Sequence, residues 1–132
     1  MPLVRISLLK GKPAEFRRKV GDAVHRALVD TIQVPAADRF QVLTEHEAGD
    51  LVYDAGYLGI ARTRDIVLIQ ITISAGRSLE KKRALYRHIA DNLAALGLRR
   101  EDVWVNLIEV AKENWSFGNG LASYAAPETA TV

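Results

Sequence analysis

The group best suited to chemistry lies at the start of the chain. The sequence opens "MPLVRISLLK", with Pro2 directly behind Met1. Removal of Met1 is expected, and it would leave Pro2 as a secondary amine. An ordinary α-amino group titrates near about 7.7–8.0, and a secondary amine is somewhat more basic. Burial would favour its neutral form and a neighbouring carboxylate its cation. The neutral amine abstracts an acidic proton, whereas the cation polarises a carbonyl or delivers a proton. The commoner catalytic equipment is missing. There is no cysteine, so thiolate nucleophiles and thiolate metal sites are excluded. His25, His46 and His88 lack the mutual spacing of metal ligands, and His25 and His88 read as surface residues of helices. The "GKP" and "GRS" turns are too short for a phosphate cradle, and no serine elbow occurs.

These residues must be positioned by a small molecule. The chain has 132 residues and reads as a single domain, 1–132. Hydrophobic residues make up 48% and charged residues 26%, a globular balance. A net charge of +2 is no basic field. "EFRRK", "EKKR" and "LRRED" mix signs on or beside helices, so no nucleic-acid partner is expected. There is no secretory leader and no apolar run long enough for a bilayer, which makes a cytoplasmic protein without a membrane partner the expectation.

Residues 3–9 alternate, with Val4, Ile6 and Leu8 on one face and Arg5 and Ser7 on the other, as a half-buried strand requires. "KGKP" turns the chain, and Pro13 suits the first turn of a helix. Phe16, Val20, Val24, Leu28 and Ile32 then form one helical stripe to about residue 33. Pro35 ends it, and "RFQVLTEH" reads as a second strand. The order then repeats. "DIVLIQITIS" is a β-branched strand, "AGRS" a turn, "LEKKRALYRHIADNLAAL" a helix with Gly97 as its left-handed C-cap, and "REDVWVNLIEV" a fourth strand.

Laid on each other, "GKPAE" falls on "GRSLE" and "ADRFQVLTE" on "EDVWVNLIE", an internal repeat of roughly sixty-five residues. The halves are 2–64 and 65–125, each a β-α-β unit with parallel strands and its helix on one side. Together they predict an α/β (α+β) fold, a four-stranded sheet with two helices on one face. The other face is left bare, and the nearly continuous apolar run of the third strand calls for a cover. A second copy of the chain is the expected one. The connection "EAGDLVYDAGYLGIARTRD" reads as a loop or short hairpin with a functional role. The final "APETATV" reads as a tail ordered where it meets a partner chain.

"MPLVRI", the repeated β-α-β pattern, "VPAADRFQ" after the first helix and "ENWSFGNG" near the end resemble the tautomerase superfamily, and within it the malonate semialdehyde decarboxylase group. The resemblance spans residues 2–125. It implies a homotrimer, no metal or organic cofactor, and a site beside an amino-terminal proline. By the same resemblance Pro2 is the catalytic proline, and Asp38 the carboxylate that holds it and a water. Arg77 is the arginine that grips a substrate carboxylate through its two-donor fork. Trp115 and Phe117 form an aromatic wall, with Asn106 and Tyr124 as further pocket liners. Arg77 stands where a cation opposes a helix dipole, which suits an anion site better than it suits stability. Ala75 stands where the decarboxylase motif can carry a further arginine, and Arg39, Arg62 and Arg64 are the candidates to replace its charge.

The expected partner is a small carboxylate bearing a carbonyl or unsaturated group. The leading expectation is cofactor-independent decarboxylation of a short 3-oxo acid like malonate semialdehyde, with cationic Pro2 stabilising the enolate as carbon dioxide leaves. Keto–enol tautomerisation of a 2-oxo acid, and hydration of a short unsaturated or halogenated acid, are the alternatives.

Overall fold

A computed structural model describes residues 1–127; the end of the expected C-terminal tail, 128–132, lies outside the described residues. Strand β1 (Leu3–Leu9) leads into helix α1 (Ala14–Ile32), which returns to strand β2 (Phe40–His46). After a long connection, strand β3 (Val67–Ser74), helix α2 (Leu79–Ala94) and strand β4 (Val103–Val110) repeat the path. The sheet order is β2-β1-β3-β4. Strands β1 and β2 are parallel, as are β3 and β4, and the two units meet along an antiparallel β1–β3 seam.

The seam explains the geometry of everything below. Leu3 pairs with Thr72 and Leu8 with Val67, so the beginning of β1 lies at the end of β3, and the end of β1 at the beginning of β3. Each strand-to-helix turn therefore faces the residues that open the other unit.

Period-two alternation decides which side chains meet the helices. Val4, Ile6 and Leu8 of β1 and Val67, Ile69, Ile71 and Ile73 of β3 pack with Val20, Val24 and Leu28 of α1 and with Leu85, Ile89 and Leu93 of α2. Each such fully buried side chain contributes about 1.5–3 kcal/mol of transfer free energy. The opposite face is partly covered at one end, where Leu51 and Tyr53 of the connection between the units pack with Leu9, Ile66 and Leu68. The rest is uncovered, as expected, but its apolar surface is distributed differently. Gln70 and Thr72 of β3 point there, and Gln70 donates to Asn106 Oδ1 across the sheet. The exposed apolar residues come from the outer strands, with Phe40 58% and Trp104 44% exposed, beside Val42 and Ile108.

Pro13 stands one residue ahead of α1, in extended conformation, and Ser78 caps α2 by accepting from the Lys81 backbone N–H at 3.2 Å. Helix α2 ends at Ala94, earlier than its apolar stripe suggests. Gly97 does adopt a left-handed conformation, with a further turn between it and the helix. The connection 47–65 is a loop with one 3-10 turn at Tyr57–Gly59. It is pinned by buried Asp102, whose carboxylate accepts from the Thr63 N–H and hydroxyl, both at 2.6 Å. Among the described residues no helix is long and apolar enough to cross a membrane.

Candidate active site

At the end of β3 the backbone turns through Gly76, at φ +119°, into α2. A side chain is strained at that angle, so glycine is the residue that allows the turn. The turn opens on a cleft of about 440 Å³ lined by Met1, Ser74, Ala75, Gly76, Arg77, Ser78, Lys81 and Lys112. Arg77 donates one bond to the Ser74 carbonyl at 2.7 Å, which holds the guanidinium against the strand end. Lys81, one helical turn further on, donates to Gln33 Oε1 at 3.0 Å. Lys112 reaches the cleft from the segment after β4, its Nζ 6.0 Å from the centre of the Tyr124 ring. No carboxylate is among the lining residues, and the N-terminal end of α2 adds its partial positive charge. The lining is thus cationic, with the Asp38 carboxylate behind the Met1 amine and Glu109 beside Gly76 and Arg77.

The antiparallel seam brings Met1 to this place. Its α-amine is ion-paired with Asp38, and its thioether accepts a hydrogen bond from the Ser74 hydroxyl at 2.9 Å. Asp38 is held by its loop. Gln33, left-handed at φ 56°, stops α1, His25 Nε2 donates to the Ala36 carbonyl at 2.8 Å, and Asp38 N–H donates to the Pro35 carbonyl at 2.9 Å. His25, expected as a surface residue, thus helps shape the loop that carries Asp38. Burial lowers the proton affinity of the Met1 amine below the ordinary α-amine range, and the nearby Arg77 charge lowers it further.

This arrangement corrects the leading expectation for Pro2. The chain carries Met1, and Pro2 nitrogen lies in the Met1–Pro2 peptide bond. There its lone pair is delocalised into the carbonyl, so it is neither a base nor an ammonium donor. Pro2 is buried, and the amine that reaches Asp38 belongs to Met1. The decarboxylation scheme built on a freed Pro2 amine falls with that assignment.

The other candidates divide. Asp38 and Arg77 come together around the Met1 amine. Trp115 joins them through its indole N–H, which donates to Ser74 Oγ at 3.1 Å. Phe117 stacks on Trp115 at 5.5 Å between ring centres, and Tyr124 meets Phe117 edge-on at 5.3 Å, which makes a continuous aromatic group. Asn106 lies apart, mid-strand on the open sheet face, paired with Gln70. None of the arginines proposed to replace the charge missing at Ala75 lines the cleft. Arg39 pairs with Asp22 and Gln41, and Arg62 donates to the carbonyls of Asp54, Tyr57 and Ile60. The added charge comes instead from Lys81 and Lys112, which sequence reasoning passed over along with Ser74. A signal for Lys81 was present: two cations four residues apart, at 77 and 81, stand where a helix dipole favours acids.

Comparison with known proteins agrees with this architecture. Family models described as tautomerase enzymes match residues 38–118 and 2–57. The chain is 39% identical to the probable tautomerase YusQ of Bacillus subtilis (strain 168), over 92% of this chain and 97% of that one. It is 34% identical to the probable tautomerase YrdN of the same organism, over 94% and 96%. Among solved structures, a malonate semialdehyde decarboxylase inhibited by 3-bromopropiolate superposes with a TM-score of 0.88 at 40% identity, covering 92% of this chain and 93% of that one. A symmetric trimer of fused 4-OT superposes with a TM-score of 0.76 at 28% identity, covering 93% and 99%. The chain therefore belongs to the tautomerase superfamily, and it is an enzyme of the group that holds the malonate semialdehyde decarboxylases and 4-OT.

Proposed function

We propose that this enzyme shifts a proton between the keto and enol forms of a small oxo carboxylate. The observation that carries the reading is the meeting of Arg77 with an α-amine of lowered proton affinity in a cleft lined by cations and no carboxylate. Arg77 grips the carboxylate, with Lys81 and Lys112 adding positive potential. The neutral amine takes the proton from the carbon beside the carbonyl and returns it to the enol as the resulting ammonium. Asp38 orients the amine and stabilises that ammonium while the proton is held. The Trp115–Phe117–Tyr124 group keeps water from the reacting carbon. The tautomerase names of the relatives support this reaction class.

A lowered proton affinity enlarges the fraction of the amine that is neutral at a given pH. Activity therefore rises with pH through an apparent pKa below the α-amine value of 8.0, and is lost as the amine is protonated at lower pH. The uncovered sheet face, with Phe40, Val42, Trp104 and Ile108 exposed, and the trimeric fused 4-OT both support a homotrimer.

The test is ketonisation of an enol probe, phenylpyruvate, by the purified protein and by Arg77→Ala. A charged hydrogen bond contributes about 1.5–3 kcal/mol, so KM should rise roughly 10- to 100-fold. No turnover by the wild type on this or related oxo acids, or an unchanged KM in the variant, would overturn the reading. Light scattering on the same protein measures the subunit number.

A further inference from the structure

Residues 112–127 leave the sheet after β4 and form a compact flap with its own internal bonds. Ser123 N–H donates to the Trp115 carbonyl at 3.1 Å, and Phe117 N–H donates to the Ser123 hydroxyl at 2.9 Å. The three aromatic rings and Lys112 belong to this flap. Among the described residues, one side-chain hydrogen bond ties the flap to the rest of the chain, from Trp115 Nε1 to Ser74 Oγ. The other bond, from Asn114 N–H to the Ala111 carbonyl, is local to the flap's root. Ser74 is itself 1% exposed, in the last position of β3. Its hydroxyl accepts from Trp115 and donates to the Met1 thioether, so donor and acceptor capacity are both used.

A buried hydroxyl on an otherwise apolar strand end needs such partners, since an unpaired one carries a desolvation cost. Alanine or valine would fill the same place in the core without that cost. What the hydroxyl adds is direction: it fixes the Trp115 ring, and through Phe117 and Tyr124 the flap, relative to the Met1 amine and Arg77.

We propose that Ser74 is a positioning residue, which holds the aromatic flap beside the anion cleft through Trp115. Its carbonyl accepts from Arg77 and its hydroxyl from Trp115, so the guanidinium and the flap are registered on one residue. The kinetic part of this inference rests on the proposed function, while the structural part stands independently of it.

The experiment uses Trp104→Phe as background, because Trp104 and Trp115 are the only tryptophans and Trp104 lies on the open sheet face. In that background Trp115 fluorescence reports the clamp whether or not a substrate has been found. Ser74→Ala should red-shift the emission and increase acrylamide quenching, and Ser74→Thr should restore both. With a turnover assay in hand, Ser74→Ala should raise KM about two- to tenfold, the span of one neutral hydrogen bond, and Ser74→Thr should return it. Trp115→Phe removes the donor from the other end, and the Ser74→Ala/Trp115→Phe pair should be no worse than either alone. Should Ser74→Ala fail to fold, Trp115→Phe and the Ser74→Thr spectrum carry the test. Unchanged emission and quenching in Ser74→Ala, or fully additive losses in the double variant, would overturn the proposal. Absence of turnover in the wild type with the fluorescence shift present would overturn the proposed function and leave the clamp standing.

Discussion

The two strand-to-helix turns are nearly the same in backbone and opposite in chemistry. The first runs from Lys10 to Pro13 with Gly11 at φ +126°, the second from Ala75 to Ser78 with Gly76 at φ +119°. Each carries a cation after its glycine, Lys12 or Arg77, and each faces the residues that open the other unit. At the first turn those residues supply a carboxylate, and Lys12 pairs with Asp65 at 2.8 Å. Its neighbours are matched too, Lys10 with Glu47 and Arg17 with Glu45. At the second turn the facing residue is Met1, whose amine is a further positive group beside Arg77. The first turn has its charges neutralised within the chain. At the second the Met1 amine is paired with Asp38 and Glu109 lies beside Gly76 and Arg77, but among the described residues Arg77, Lys81 and Lys112 form no ion pair with a carboxylate.

Moving the amine should break the contrast most severely. One glycine added ahead of Met1 carries the α-amine away from Asp38 and leaves an amide in its place. Turnover should fall by about 10²–10⁴, the contribution of a positioned general base, while thermal unfolding is unchanged. Undiminished turnover would remove the amine from the mechanism. Making the second turn resemble the first comes next. Ala75→Asp gives the cleft the carboxylate that Asp65 gives Lys12, and KM for the oxo acid should rise at least about tenfold through repulsion of the substrate.

Asp38→Asn sharpens the comparison through pH. A carboxylate beside the amine favours its ammonium, so the amide should lower the amine's proton affinity further and shift the rising limb of the kcat/KM profile to lower pH. A limb that stays in place or moves upward would contradict the pairing seen here. The smallest effect is expected at the first turn. Lys12→Ala removes a solvent-accessible ion pair, costs up to about 1 kcal/mol in denaturant unfolding, and leaves turnover unchanged. A loss of turnover there would mean that the two turns are less different than their partners suggest.

Much of this was legible without coordinates. Val4, Ile6 and Leu8 alternate because a half-buried strand must, and the spacing of Val20, Val24 and Leu28 admits only a helical stripe. Asp38, Arg77, Trp115 and Phe117 were named from their motifs, and they do gather about one end of the sheet. Asn106 is named as a further pocket liner, but alternation alone does not say which open face faces a site. Pro2 was misassigned because a proline behind Met1 has chemistry only if the bond between them is cut, and here the Met1 amine occupies the contact with Asp38.

The amino-acid sequence by itself determined the elements, their repeat and the side of the sheet that the helices cover, because all three follow from local periodicity and turn residues. The tertiary structure alone decided which ends meet. Strand pairing along β1 and β3 is antiparallel, so Met1 comes to Ser74 and Arg77, and Asp65 comes to Lys12. Lys81, Lys112 and Ser74 join the site for the same reason. Their neighbours are distant in sequence, and a charge or a hydroxyl takes its meaning from the groups that stand around it in space.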